Sequence, residues 1–257
     1  MFKQFSTLLA GAVVMALCTT QITPTHLYAQ TLDEVITKAN DARGGVAKLK
    51  AVQSAVIGGT MAFNGGQVKL TYQMHYKRPK MFRFDQTIQG MTATQSYDGK
   101  TGWQTNPFAG VREPQVMDEE ALQDMEEQAD LIDGSFIDSK EKGYTLELMG
   151  KEEVEGSGVY KVKITRKDGS VTYEYLDEGS FLTVKTISKR KDKKSGTETE
   201  SEQVFGNYKT VNGIVFPGSI EFRAGGKTQG QMTMETIELG KAIDNSVFAM
   251  PAKKEGK

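Results

Sequence analysis

From Val68 to Lys77 the side chains alternate without a break: Val68, Leu70, Tyr72, Met74 and Tyr76 are apolar, and Lys69, Thr71, Gln73, His75 and Lys77 between them are polar. Successive side chains leave a pleated strand on opposite sides, so this period of two predicts a strand with one buried and one wet face. The same reading gives strands near 54–63, 81–89, 91–98 and 102–106, punctuated by Asn64-Gly65-Gly66, Arg78-Pro79-Lys80, Gly90 and Asp98-Gly99. Beyond Gly143 the pattern resumes near 144–151, 158–166, 171–177, 181–190, 197–207, 214–223 and 228–239. Turns there fall at Glu155-Gly156-Ser157-Gly158, Lys167-Asp168-Gly169, Glu178-Gly179, Asn212-Gly213 and Gly225-Gly226. About a dozen short strands in a meander imply one large antiparallel sheet, which at that size curls into a barrel or half-barrel. The fold expected is mainly β, of the α+β class, in a single domain over residues 30–257.

Two segments follow a helical period instead. Leu32, Val35, Ile36 and Ala39 recur at helical spacing, with Thr31 and Glu34 placed as a capping box, and Gly44-Gly45 ends that helix. A short turn through Val46, Leu49 and Val52 follows. Between the two runs of strands, Val116 to Phe136 carries the stripe Leu122, Met125, Ala129, Ile132 and Phe136, while eight acids and no base lie between Asp118 and Asp133. This pattern predicts an amphipathic helix with a solvated acidic face. A lid over a cavity would need the same pattern.

The N-terminus places the chain. Lys3 precedes the uncharged run Phe5–Cys18, too short for a membrane span and of the length of a signal-peptide core. Cleavage is expected after Ala29, giving a soluble exported protein that begins at Gln30. Leu17 before Cys18 argues against a lipobox. The formal net charge is −1, and removing residues 1–29 takes away Lys3 and no acid, so nothing favours nucleic acid as a partner. The same cut removes the only cysteine, Cys18, and one of the two histidines, His26, leaving His75. Disulfides, thiol chemistry and multi-histidine metal sites are thereby excluded.

No catalytic constellation is legible. His75 falls on the polar side of its strand and reads as a surface residue, and no glycine-rich loop leads into a helix. Glu198, Glu200 and Glu202 share one face and read as solvated strand charge rather than a calcium site. Lys189-Arg190-Lys191-Asp192-Lys193-Lys194 reads as a hairpin tip, either a solubilising loop or a finger for anionic headgroups. The informative excess is apolar: Phe63, Tyr72, Tyr76, Phe82, Phe84, Tyr97, Trp103 and Phe108 crowd the first strands. A barrel of this strand number is too wide for side chains alone to fill, so a helix or a ligand must occupy it.

The order and spacing of Lys77-Arg78-Pro79-Lys80-Met81-Phe82, then Tyr97-Asp98-Gly99-Lys100-Thr101-Gly102-Trp103 and Asn106-Pro107-Phe108, resembles the signature of the LolA-like lipoprotein carriers, as does the closing Asp244…Phe248…Pro251. The resemblance is specific over residues 60–110 and architectural elsewhere. It implies a curved antiparallel sheet forming an unclosed β-barrel, with helices as a lid over a hydrophobic concavity. By position, Arg78 would hydrogen-bond the lid and tune its opening, and Phe82 would sit near the cavity mouth. The ligand-binding surface so implied comprises Tyr72, Met74, Tyr76, Phe82 and Phe84, then Tyr97, Trp103 and Phe108, with Leu122 and Met125 from the lid. The implied protein is periplasmic, non-enzymatic, cofactor-free and monomeric. It would take lipoproteins or other lipids from an inner-membrane transporter to an outer-membrane acceptor, with transient membrane contact. A lipid or lipoprotein sensor of the same fold is the alternative.

Overall fold

The computed structural model describes residues 30–191 and 196–252; the expected signal segment 1–29, the tip residues 192–195 and the tail after residue 252 lie outside them. In chain order the elements are α1 (Leu32–Ala42), α2 (Val46–Ala51), β1 (Ser54–Phe63), β2 (Val68–Lys77), β3 (Met81–Ile88), β4 (Met91–Tyr97), β5 (Gly102–Asn106), β6 (Val111–Val116), α3 (Glu119–Gln128) and α4 (Ser139–Lys142). They continue with β7 (Thr145–Val154), β8 (Ser157–Thr165), β9 (Val171–Asp177), β10 (Thr183–Lys191), β11 (Glu198–Gly206), β12 (Lys209–Val211), β13 (Ile214–Phe216), β14 (Ser219–Ala224) and β15 (Lys227–Leu239).

Among the described residues thirteen strands form one sheet in the order β6-β5-β4-β3-β2-β1-β15-β14-β11-β10-β9-β8-β7, and β12 with β13 makes a separate hairpin. Neighbours pair antiparallel, and the edges β6 and β7 do not pair with each other, so the barrel is unclosed. The centre is where the chain's two halves meet: β1 pairs with β2 on one side and β15 on the other. At the β1–β15 bulge a Cβ on Gly59 would stand 1.9 Å from the Thr233 carbonyl oxygen, so only glycine lets the two backbones approach.

The register explains the alternation in β2. Tyr76, Met74 and Tyr72 lie opposite Ala55, Ile57 and Gly59 of β1, and Tyr76 and Met74 lie opposite Phe82 and Phe84 of β3. All of these but Gly59, joined by Met232 and Met234 of β15, belong to the concave-side core. The segment α3–α4 joins the two free edges, β6 to β7, and in crossing between them it covers that concavity. Met125, Ala129 and Ile132 of the crossing are buried in the same cluster. A second cluster, with Val35 and Ala39 of α1 against Tyr160, Val162, Ile164 and Leu176, anchors α1 on β8 and β9. The capping box is formed: Thr31 N donates to Glu34 Oε2 at 2.8 Å and Glu34 N to Thr31 Oγ1 at 3.3 Å.

Three expectations are corrected. The acidic helix ends at Gln128, and residues up to the short α4 form turns. The strand β6 was hidden by Pro114 and two charges, composition that an edge strand tolerates because its outer N–H groups need no partner. The expected strand 214–223 breaks at Pro217-Gly218, where the chain leaves the small hairpin for the main sheet. A Cβ on Gly218 would meet the Asn207 carbonyl oxygen at 2.2 Å.

Candidate functional site: a roofed concavity

Between the sheet and the α3–α4 crossing lies a cavity of about 620 Å³. Its floor is apolar where β1, β2, β3, β14 and β15 pass beneath it, with Met74, Phe82, Phe84, Phe222, Met232 and Met234 among its lining. The wall built by β9, β10 and β11 is polar: Thr172, Glu174, Thr186, Ser188, Arg190 and Gln203 face the same space. The roof contributes Asp124, Glu127 and Gln128 of α3 with Leu131, Gly134 and Ser135 beyond it. A concave site of this size with one greasy and one hydrogen-bonding side suits an amphiphilic molecule.

Charged side chains fasten the roof. The Arg78 fork donates from Nη1 to Asp133 Oδ2 at 2.8 Å and from Nη2 to Asp133 Oδ1 at 2.6 Å, while its Nε reaches the Val52 carbonyl at 2.8 Å and Nη2 the Leu49 carbonyl at 3.1 Å. One guanidinium thus ties the C-terminal end of α2 to the segment after α3. Arg43 holds the same segment from the other side, through the carbonyls of Ile132 at 2.7 Å and Asp133 at 3.3 Å. Lys142 pairs with Asp130 at 3.3 Å and Lys50 with Asp138 at 2.7 Å. Over the polar wall, Arg190 pairs with Asp124 and with Glu127, the latter at 2.5 Å. The Tyr97 hydroxyl donates to Glu126 at 3.1 Å.

The electrostatics follow from this packing. Burial alone would raise the Asp133 carboxyl, but hydrogen bonds and charge from Arg78, with Lys142 and Lys50, outweigh it and hold that carboxyl below the usual range. Burial pushes Glu127 up despite Arg166 and Arg190, and pushes Glu174 up as well. The Tyr76 and Tyr97 phenols are each raised to about 12, chiefly by burial.

Of the residues singled out in the sequence, Met74, Phe82 and Phe84 line the cavity, and Tyr72, Tyr76, Tyr97 and Met125 are buried in the core beside it. Leu122 packs half-buried against that core, and Arg78 sits at the roof fastening. Two placements are corrected. Trp103 is buried on the opposite, convex face, where its Nε1 donates to the Phe248 carbonyl at 2.8 Å beside Ser96 Oγ at 2.9 Å. Gly102 takes the concave position across from Tyr97, which turns Trp103 outward. Phe108 stands 45% exposed on a 3-10 turn at Pro107–Ala109, outside the cavity lining.

The convex face is less wet than the alternation implied. Ile243, Val247 and Phe248 pack on Val56 and Met81, and Arg83 and Lys77 bind the carbonyls of Val247 and Ile243. His75 is accordingly half-buried, and burial lowers its pKa. The acidic face of α3 is likewise not simply solvated, since Asp124 and Glu127 engage Arg190. Residues that the sequence did not single out are Arg43, Asp133, Arg166 and Glu174. Of these, Asp133 was visible only as one of eight acids, and Glu174 only as a polar residue in its strand. Glu198, Glu200 and Glu202 do not form a metal site: among the described residues no His, Cys, Asp or Glu group is arranged to hold an ion, and Glu200 and Glu202 pair with Lys189 and Lys185.

No protein-family profile and no curated protein matches the chain. Solved structures do. A LolA superfamily protein from Nitrosomonas europaea superposes with a TM-score of 0.58 at 14% identity, covering 86% of this chain and 98% of its own. A DUF1329 family protein from Desulfovibrio piger gives 0.58 at 12% identity, over 84% and 96%. A domain from Vibrio parahaemolyticus described as an outer-membrane lipoprotein-sorting protein gives 0.56 at 10% identity, over 83% and 95%. The open thirteen-stranded sheet, the helical crossing over its concave face and these superpositions together establish that the chain has the fold of the LolA superfamily.

Proposed function

We propose that the chain is a periplasmic carrier that takes the acyl chains of a lipoprotein or lipid into its concavity and delivers them toward the outer membrane. The observation that carries this reading is the Met- and Phe-lined floor beneath a roof fastened by Arg78, Arg43 and Arg190. Burying hydrocarbon yields about 0.8 kcal/mol per methylene, so an acyl chain on this floor would be bound too tightly to hand on unless something opposed it. The roof supplies the opposition, because Met125, Ala129 and Ile132 belong to the same apolar cluster and must leave it when the chain enters. Ligand and roof therefore compete, and the charged fastenings set how far the balance leans toward release.

In this reading residues 1–29 are a cleaved export signal, the mature chain works as a monomer without a cofactor or catalytic group, and cargo passes from an inner-membrane transporter to an outer-membrane acceptor. Protein recovered from the periplasm should begin at Gln30, and organic extraction followed by mass spectrometry should release bound acyl lipid. Recovery of the protein with Lys3 intact, or with no extractable lipid and no affinity for any added lipid, would overturn the reading.

A further inference from the structure

The charges around the cavity are divided by element. The roof contributes carboxylates, Asp124, Glu127 and Asp130; the polar wall contributes the guanidinium groups Arg166 and Arg190 together with Glu174. Asp130 has its own partner in Lys142, and Glu174 accepts from Thr183 Oγ1 at 2.5 Å. Asp124 and Glu127 are the roof carboxylates in ion-pair contact with the two wall arginines. Their fit is incomplete. Arg166 Nε and Glu127 Oε1 are buried, lack hydrogen-bond partners and face each other at 3.5 Å. Glu127 meanwhile holds Arg190 through its other oxygen.

Arg166 is held in the wall independently of the roof. Arg166 Nη1 donates to Thr172 Oγ1 at 2.7 Å, Thr172 is hydrogen-bonded to Ser188 at 3.0 Å, and the Tyr144 ring lies 5.5 Å from the Arg166 guanidinium. The Arg166 side chain is only 14% exposed. When the roof lifts to admit hydrocarbon, Asp124 and Glu127 leave with it. The wall arginines then keep only the wall's own acids nearby, Glu174 beside Arg166 and Asp168 beside Arg190, and their forks are open to carboxylate or phosphate oxygens.

We infer that this wall is a headgroup subsite: the cargo is an amphiphile whose anionic head pairs with Arg166 and Arg190 in place of Asp124 and Glu127, while its hydrocarbon lies on the Met and Phe floor. The roof carboxylates are the internal occupant that the head displaces. This rests on the carrier reading and narrows it, because an uncharged lipid would leave the largely buried Arg166 without its roof partner on opening, which is costly.

The test titrates the purified protein with oleate and with oleyl alcohol, which share a chain and differ in charge, and uses inorganic phosphate as a competitor without a chain. Oleate should bind about tenfold or more tighter than oleyl alcohol, the scale of one charge-assisted contact. Arg166→Gln with Arg190→Gln should erase that preference, and because it also releases the Arg190 fastening, oleyl alcohol should bind no more weakly than to the parent. Asp124→Asn with Glu127→Gln, nearly isosteric and free of the competing charge, should tighten oleate by about tenfold and oleyl alcohol by less. The second pair keeps the test decisive if the arginine variant fails to fold. Equal binding of the two amphiphiles, with equal response to both pairs, would overturn the headgroup subsite and leave the carrier reading standing. Displacement of oleate by millimolar phosphate would assign the wall to free anions instead. Absence of saturable binding by either amphiphile would overturn both.

Discussion

Arg78 and Asp133 are joined by two parallel hydrogen bonds, 2.8 and 2.6 Å long, across 55 residues of chain. The pair is partly buried, with side-chain exposures of 21% and 12%, and it is the point where the β2–β3 turn holds the roof. Removing one partner leaves the other charge poorly solvated, so Arg78→Leu should destabilise the protein by about 3 kcal/mol. Amide exchange should accelerate over residues 129–138 more than over β1 and β15. In a double-mutant cycle with Asp133→Asn the losses should be strongly non-additive. Additive losses, or exchange that rises evenly over the sheet, would mean that Arg78 supports the fold generally and does not fasten the roof.

The same pair predicts a pH window. Asp133 has a folded-state pKa below its unfolded value, so the stability it contributes is present above the unfolded value of about 3.9 and is lost as pH falls through the folded one. The stability difference between parent and Asp133→Asn should accordingly be constant from about pH 7 to 5 and shrink below about pH 4. Thermal melts of both proteins across that range measure it. A difference that already collapses near pH 6 would assign the effect to another group.

Trp103 lies beneath Phe248 on the convex face, with the thickness of the sheet between it and the cavity. An acyl ligand should therefore leave its emission unchanged, whereas Phe248→Ala, which empties a fully buried position, should shift it. A ligand-dependent change in Trp103 emission would show that the convex face senses cavity occupancy.

Phe82 is 1% exposed and lies between Tyr76 of β2 and Tyr97 of β4. Truncation to alanine should cost about 3–5 kcal/mol, as for other buried aromatics. If the protein remains folded, the enlarged floor should still bind acyl probes, because the Met residues of β2 and β15 persist. Phe82→Glu differs in placing a charge where hydrocarbon or roof must pack, and should abolish loading. Loading equal to the parent in folded Phe82→Glu would remove Phe82 from the binding surface.

Much of the sheet was legible because its strands carry an unbroken period of two between glycine turns, as Val68–Lys77 does. What failed to show had physical reasons. β6 is an edge strand and carries a proline, so it lacks the composition of a buried one. The resemblance puts Trp103 at the cavity, but Gly102, with no side chain to announce its face, sets the parity of β5 and turns Trp103 to the convex side. The Arg78 latch could be anticipated from the family resemblance, but its partner Asp133 could not be chosen among eight acids without knowing that α3 ends at Gln128. The polar wall does not show in the sequence for a similar reason: Thr172, Thr186 and Ser188 are ordinary polar strand positions until the sheet's curvature puts them inside.

The central claim is that the concavity opens to take an acyl chain in competition with its roof. Titrating the parent protein and Arg78→Leu with a fluorescent fatty acid tests it most directly. The account predicts saturable binding by the parent and tighter binding by the variant, since loosening the roof lowers the cost of displacing Met125, Ala129 and Ile132. Absence of saturable binding in both folded proteins, or weaker binding once the latch is removed, would contradict it.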